Sequence, residues 1–438
     1  MAPRTGESSK NREAPVDTGH KSNHFAKAST MGLLRLFQLA VYTIIAVIVG
    51  YLAFLAILAI PFFQSQVIYL NSITLTWFQD VNVPEQWGFL RNQVTPFTLS
   101  TPDGEMLHAW HILPLELYRQ HQDALVQDPD GLATDFKSRL SFKLLRDDPE
   151  ALLVLYFHGA AGTLGSGFRP PSYRAMYAGA PSRIHTVAID YRGFGSSTGK
   201  PSEEGLLIDA LTLADWAING VGIPPSRIVI FGQSLGTAVA LSLAHRLLSS
   251  PSPISDSPVS FSGMVLVAPF VDVELLTASY RVAGTIPILD PLAYFSPRLL
   301  AFFNTFIRHK WPSKEKIAEI IRYYHGRTDG TYHITIVHAE DDYDIPWSHS
   351  DQLFWHGVRA ARGASDLENG GLTFEDLQME KEQTKMELGA AGWVATHETE
   401  DGVLREEIAK WGLHDRVMSY PIVSLAVLRA FRLKDEVK

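Results

Sequence analysis

Arg227-Ile228-Val229-Ile230-Phe231-Gly232-Gln233-Ser234-Leu235-Gly236 holds the key to the chain. Its first part is an apolar run that reads as a buried strand, covered on both faces as parallel sheets require. From Leu235 to Leu248 the sequence reads as a helix. Between them lies Gly-x-Ser-x-Gly, Gly232 to Gly236. A sharp strand-to-helix turn there puts Ser234 in strained backbone geometry and lifts its hydroxyl above the sheet. Small residues two before and two after the serine keep neighbouring elements from clashing. The serine also meets a helix N-terminus, where N–H groups and the dipole favour negative charge. The plain alternative is a serine helix cap. The strand before and the helix after favour a nucleophile.

The pattern extends in both directions. Leu152–Phe157, Ile184–Ile189, Met264–Val267 and Ile334–Val337 are further apolar runs of strand length, and Ser202–Asn219 reads as a helix. Strands alternating with helices predict an α/β fold: a mostly parallel central sheet with helices on both faces and right-handed crossovers. Residues 94–113 read as a hairpin turning at Asp103-Gly104. Residues 115–148 are polar and predict a surface excursion. Residues 270–330, rich in aromatics and prolines, predict a small cap over the sheet's carboxyl edge. Residues 362–390, charged and glycine-containing, predict a mobile surface insertion.

Residues 1–30 are polar and predict a disordered tail. Residues 31–63 predict a transmembrane anchor, with Leu36 to Phe63 almost continuously apolar and uncharged. At about 1.5 Å per residue that run spans a hydrocarbon layer of roughly 30 Å. It is longer than the apolar core of a signal peptide, about 7–15 residues. Arg4, Lys10, Arg12, Lys21, Lys27 and Arg35 precede it, and no Lys or Arg follows it up to Trp77. That bias predicts a cytoplasmic N-terminus and a single pass, with residues 64–438 as one domain across the membrane.

Composition narrows the function. The 438 residues are 46% hydrophobic with a formal net charge of −9, and show no basic face for nucleic acid. The absence of cysteine excludes disulfides, thiol catalysis and cysteine-ligated zinc. Gly162 to Gly167 lacks the Lys-Ser/Thr ending of a phosphate loop and the Gly-x-Gly-x-x-Gly spacing of a dinucleotide site. No cofactor is expected.

A serine hydroxyl is a poor nucleophile at neutral pH. It needs an imidazole to take its proton and a carboxylate to orient that imidazole. The acid is expected after a late strand, where Glu340, Asp341, Asp342 and Asp344 follow Ile334–Val337; spacing does not choose among them. With His338 they could suggest a metal site, but adjacent acids cannot all point into one centre, so no metal is expected. The base is expected near the C-terminus. His414, before the helix Pro421–Arg432, fits that place better than His397, which sits in a strand-like run. The oxyanion donors are assigned to the N–H groups of Ala160 and Leu235, with Gly159 and Gly162 allowing close backbone approach. His158 is read as ordering that loop, and Arg192 as an ion-pair partner.

Five stretches carry a family resemblance: Phe157–Thr163, Asp190–Ser197, Pro201–Gly205, Gly232–Thr237 and His338–Asp342. With them the chain resembles the membrane-anchored α/β-hydrolases of the alpha/beta-hydrolase-domain twelve and thirteen group, which includes the fungal Bem-forty-six-like proteins. The resemblance covers roughly residues 90–360 and the surroundings of His414. It implies the α/β-hydrolase fold, Asp342 as the acid and His414 as the base. It also implies lipase activity on lysophosphatidylserine or monoacylglycerol, at the endoplasmic reticulum with a lumenal catalytic domain. Gln233 departs from the histidine common before the nucleophile, and the 362–400 insertion separates acid from base.

The expected function is therefore a membrane-anchored serine hydrolase of lipid esters working through an acyl-enzyme. An acyltransferase or thioesterase on the same scaffold is one alternative. A non-catalytic membrane scaffold is the other.

Overall fold

The computed structural model describes residues 19–433, apart from positions 250, 253, 280, 283–285, 288–291, 293, 295 and 364–372. The chain divides into two units, Met1–Ile60 and Pro61–Lys438. In the first, a helix covers Gly19–Leu58. It begins inside the stretch expected to be a disordered tail; residues 1–18 lie outside the described residues. Its Gly32–Leu58 part, 27 residues of mean hydropathy 2.6, is long and apolar enough to cross a membrane.

The second unit is built on a sheet of ten strands. They are β1 (Val94–Ser100), β2 (Met106–Ile112), β3 (Leu152–Phe157), β4 (Ile184–Ile189), β5 (Ile228–Gln233) and β6 (Gly263–Val267), then β9 (Tyr332–Ala339), β10 (Met386–Glu387), β11 (Gly392–Thr399) and β12 (Gly402–Ala409). A separate two-stranded piece holds β7 (Arg281–Val282) and β8 (Ile286–Pro287). The sheet order is β1-β2-β4-β3-β5-β6-β9-β12-β11-β10. The centre, from β4 to β12, is parallel, and antiparallel pairs close both edges. All central strands thus end on one edge, and the loops that follow them share it.

Alternation along the strands feeds two cores. Leu153, Leu155 and Phe157 of β3 join one cluster with the helices Leu235–Leu247, Ser313–Tyr324 and Ser348–Ala361. Leu152, Val154 and Tyr156 face the other, with the helices Arg169–Tyr177 and Pro421–Ala430. The period of two in a run apolar on both faces is what a strand between two helical layers requires.

The structure departs from expectation in three places. Residues 115–148 are not a purely surface excursion. They form the helices Leu115–Gln120, Gln122–Gln127 and Leu140–Arg146, and Phe136 stacks on Phe97 of β1 at 4.1 Å between ring centroids. Within the stretch expected to form the cap, Ser313–Tyr324 buries Ile317, Ile320 and Ile321 in the main core. Within the expected insertion, the helix Phe374–Thr384 is tied down by Lys381, which is buried between Asp351 and Glu406. The neighbouring stretch 364–372 lies outside the described residues.

Candidate active site

The turn at 232–236 has the geometry its sequence demands. Ser234 sits between β5 and the helix Leu235–Leu247 at φ +52, a left-handed value that non-glycine residues rarely adopt. Its N–H donates to the Val267 carbonyl at the end of β6 (2.9 Å), fixing the turn to the sheet. A side chain at Gly232 would strike the Gly236 carbonyl, and one at Gly236 the Phe157 carbonyl. Both glycines are therefore steric necessities of the turn.

Two strands further along, the loop after β9 separates the four candidate acids. Glu340 pairs with Lys410, and Asp341 accepts from the Leu413 N–H at 2.8 Å. Asp342 instead faces His414, with 2.8 Å between its Oδ2 and the imidazole Nδ1. Its Oδ1 accepts the N–H groups of Asp344 and Ile345, each at 2.9 Å. His338 Nε2 reaches Oδ2 at 3.0 Å, while His338 Nδ1 lies 2.7 Å from the Ser350 hydroxyl. Burial alone would raise the Asp342 carboxyl, but the charge of His414 and the two imidazole hydrogen bonds hold it well below the usual range.

His414 lies in the loop after β12, with 15% of its side chain exposed. Burial pulls its pKa down. Asp342, with Asp415 and Asp344 nearby, outweighs that and lifts it to about 9. Ligand atoms of Asp342, Asp344 and His414 lie within 4.8 Å of one another, the spacing of a possible cation cluster. Both oxygens of Asp342 are already engaged by the chain's own donors. Among the described residues, neither the Ser234 hydroxyl nor His414 Nε2 has a hydrogen-bond partner, so the two are not hydrogen-bonded to each other. His397 lies within β11, opposite Leu404 of β12, and makes no hydrogen bond to Asp342 among the described residues.

The loop after β3 presents the remaining parts. The Ala161 N–H donates to Tyr69 and the Gly162 N–H to Ile73. Among the described residues, the N–H groups of Ala160 and Leu235 have no acceptor. On the opposite side, the Arg169 guanidinium donates to the carbonyls of Gly159 (3.0 Å), Ala160 (3.2 Å), Ala161 (2.7 Å) and Thr163 (2.5 Å). In a trans peptide a carbonyl and the next N–H point in opposite directions. Drawing the Gly159 carbonyl to Arg169 therefore turns the Ala160 N–H away from it. Arg169 is buried and forms no ion pair among the described residues, so a positive charge stands behind the loop.

A profile of the Alpha/beta hydrolase family matches residues 151–381, just over half of the chain. The chain belongs to this family. Lysophosphatidylserine lipase ABHD12 of Danio rerio is 29% identical over 294 residues, 67% of this chain and 66% of that relative. The Xenopus tropicalis protein of the same name is 31% identical over 215 residues, 49% of this chain and 48% of that relative. The chain thus spans less than two thirds of the length of either. A crystal structure of an alpha-beta hydrolase from Vibrio vulnificus is also similar, with TM-score 0.47 and 15% identity, covering 84% of this chain and 90% of that one.

In this alpha/beta hydrolase three further residues contact the loops of the site, and the sequence signals them only weakly or not at all. Arg169 gave no sign, because its partners are backbone carbonyls, which no side-chain pattern reports. His338 was visible only as a possible metal ligand; its position four residues before Asp342 was the available clue. Gln233 was noticed as a departure. Its amide reaches the His414 carbonyl (3.5 Å) and the Asp415 carboxylate (3.2 Å), linking the serine turn to the imidazole loop.

Proposed function

We propose that this alpha/beta hydrolase is a membrane-anchored serine hydrolase of lipid esters, of the lysophospholipid type. The observation that carries the reading is the Asp342–His414 hydrogen bond of 2.8 Å on the same sheet edge as a strained Ser234. In the reaction the Ser234 hydroxyl attacks the acyl carbonyl and His414 Nε2 takes its proton. Asp342 stays ionised, holds the imidazole through Nδ1 and stabilises its charged form. The carbonyl oxygen becomes an oxyanion that accepts hydrogen bonds from the N–H groups of Ala160 and Leu235, with Arg169 behind the first of them. The tetrahedral centre then collapses. His414 protonates the leaving alcohol, and the acyl group stays on Ser234. Water, deprotonated by the same imidazole, repeats the sequence and releases the fatty acid.

Relatives named as lysophosphatidylserine lipases support the substrate class, and Gly32–Leu58 supports the anchor. Basic residues before that helix support a cytoplasmic N-terminus with the catalytic domain across the membrane, and the family resemblance alone supports the endoplasmic reticulum as its place. The test is fatty-acid release from lysophosphatidylserine in vesicles by the full-length protein. Wild type turns over and Ser234→Ala does not. Equal release by both would sink the reading. Protease protection in sealed microsomes, with an N-terminal and a C-terminal tag, tests the orientation.

A further inference from the structure

The stretch that follows the apolar helix has two unlike sides. Pro61 comes three residues after Leu58, and from Pro61 to Gln79 the sequence contains no Asp, Glu, Lys, Arg or His. A helix covers Pro61–Tyr69, and irregular chain follows it. On the inner side, backbone carbonyls do the holding. Tyr69 accepts the Ala161 N–H and Ile73 the Gly162 N–H, in the loop that carries Ala160. Thr74 accepts the Ser166 hydroxyl at 2.9 Å. The Gln64 side chain is buried and binds the Phe306 carbonyl (3.1 Å) and the Arg308 N–H (2.9 Å) in the expected cap region.

The outer side is apolar and uncovered. Phe78 is 99% exposed, Trp77 69% and Phe62 65%, with Phe63, Val67 and Ile73 exposed beside them in sequence. Scattered single exposures need no explanation, but two exposed aromatic pairs, Phe62-Phe63 and Trp77-Phe78, in one uncharged segment do. Water is a poor partner for such side chains. Trp and Phe at the end of a membrane span favour the interfacial layer, where their rings sit at headgroup level.

We propose that residues 61–78 dock on the bilayer surface: the outward aromatics enter the interfacial layer while the inward carbonyls hold the oxyanion loop. The occupant is the lipid bilayer itself, argued from the segment's continuity with the span and its lack of charge. This rests on the serine-hydrolase reading and adds that the segment bracing the oxyanion loop is the one that meets the bilayer holding a poorly soluble ester.

The chain has no cysteine, so a single Phe78→Cys substitution can carry a nitroxide without competing sites. Met379→Cys, on the exposed side of the helix Phe374–Thr384, is the reference. The full chain is placed in phosphatidylcholine vesicles, and nitroxide collisions with oxygen and with a water-soluble nickel chelate are compared. Docking gives high oxygen and low nickel accessibility at 78, and the reverse at 379. High nickel accessibility at 78 overturns the proposal. So does low accessibility to both probes, which means that protein, such as a second copy, covers the site. In a second arm, Phe62→Ser, Trp77→Ser and Phe78→Ser are combined. Turnover of a lysophospholipid in vesicles falls by about tenfold, as expected for lost interfacial burial, while that of a water-soluble short-chain ester holds. Equal loss on both substrates makes the segment a support only and overturns docking. Failure of wild-type Ser234 to label with a fluorophosphonate would count against the serine-hydrolase reading, and the nitroxide arm still decides docking.

Discussion

Two of the histidine–aspartate pairs near the carboxyl edge of the sheet are built to opposite ends. His414 and Asp342 meet at 2.8 Å, with His414 partly exposed and three carboxylates around it. His158 and Asp190 meet at 3.3 Å and are both fully buried. Burial and the charge of Arg169 lower the His158 pKa, despite Asp190. The same two residue types thus give an imidazole that gains a proton readily and one that stays neutral. Surroundings, not identity, set the two imidazoles apart. His158 Nδ1 lies 2.7 Å from the Gly159 carbonyl, in the loop that bears Ala160.

Asp342→Asn should give the largest effect, because the amide favours the wrong tautomer of His414: kcat falls about 10³- to 10⁴-fold with the fold intact. Asp190→Asn should instead act on stability, read as a lower Tm at a nearly unchanged rate per folded molecule. Equal kinetic losses from the two would erase the distinction.

The pH profile comes next. In the proposed reaction the free base is the working form of His414, so kcat/KM should rise with pH up to about 9, roughly tenfold per unit below it. Asp344→Asn should move the midpoint down. The linked stabilities run in opposite directions. His414 has its folded pKa raised above 6.5, so its contribution is complete below that pH and is lost as pH rises through about 9. The total is roughly 3 kcal/mol, counted once for the pair with Asp342. His158 has its folded pKa lowered below 6.5, so its contribution is present above 6.5 and is lost as pH falls. Chemical denaturation across pH, with His414→Gln and His158→Gln as comparisons, separates the two.

Arg169→Met should lower kcat by about 10- to 100-fold at unchanged KM, since the loop loses both its hinge of carbonyl contacts and the charge behind the oxyanion. Partial recovery with Arg169→Lys would separate charge from shape. His158→Gln should be the mildest. A cost of about 1–3 kcal/mol in stability is expected for a buried hydrogen-bonding group left poorly matched, with activity of the folded fraction little changed.

The half of the site set by local backbone was legible in the sequence. Gly232, Ser234 and Gly236 lie within five residues, and each is demanded by one turn. The same holds for β3 and β5, whose apolar runs can hardly be anything but sheet interior. The half set by distant contacts was not. β12, the strand that leads to His414, was missed because it reads Arg405-Glu406-Glu407, which looks like a solvated run. In the fold Glu406 and Glu407 are buried, answered by Lys381 and by Arg405 and Arg429. The Lys381–Glu406 and Arg429–Glu407 pairs span 25 and 22 residues of chain and leave no local pattern. Spacing alone leaves four acids open, and the family resemblance points to Asp342; in the fold the loop turns Glu340 to Lys410 and Asp341 to the Leu413 N–H.

The central claim is that Ser234 is a nucleophile served by His414. Its most direct measurement is intact-protein mass spectrometry after reaction with a fluorophosphonate, followed by peptide mapping. One adduct per chain is expected, on Ser234, with labelling slowed severely in His414→Ala and unchanged in His397→Ala. An adduct on another residue, or labelling of the His414 variant at the wild-type rate, would contradict the account.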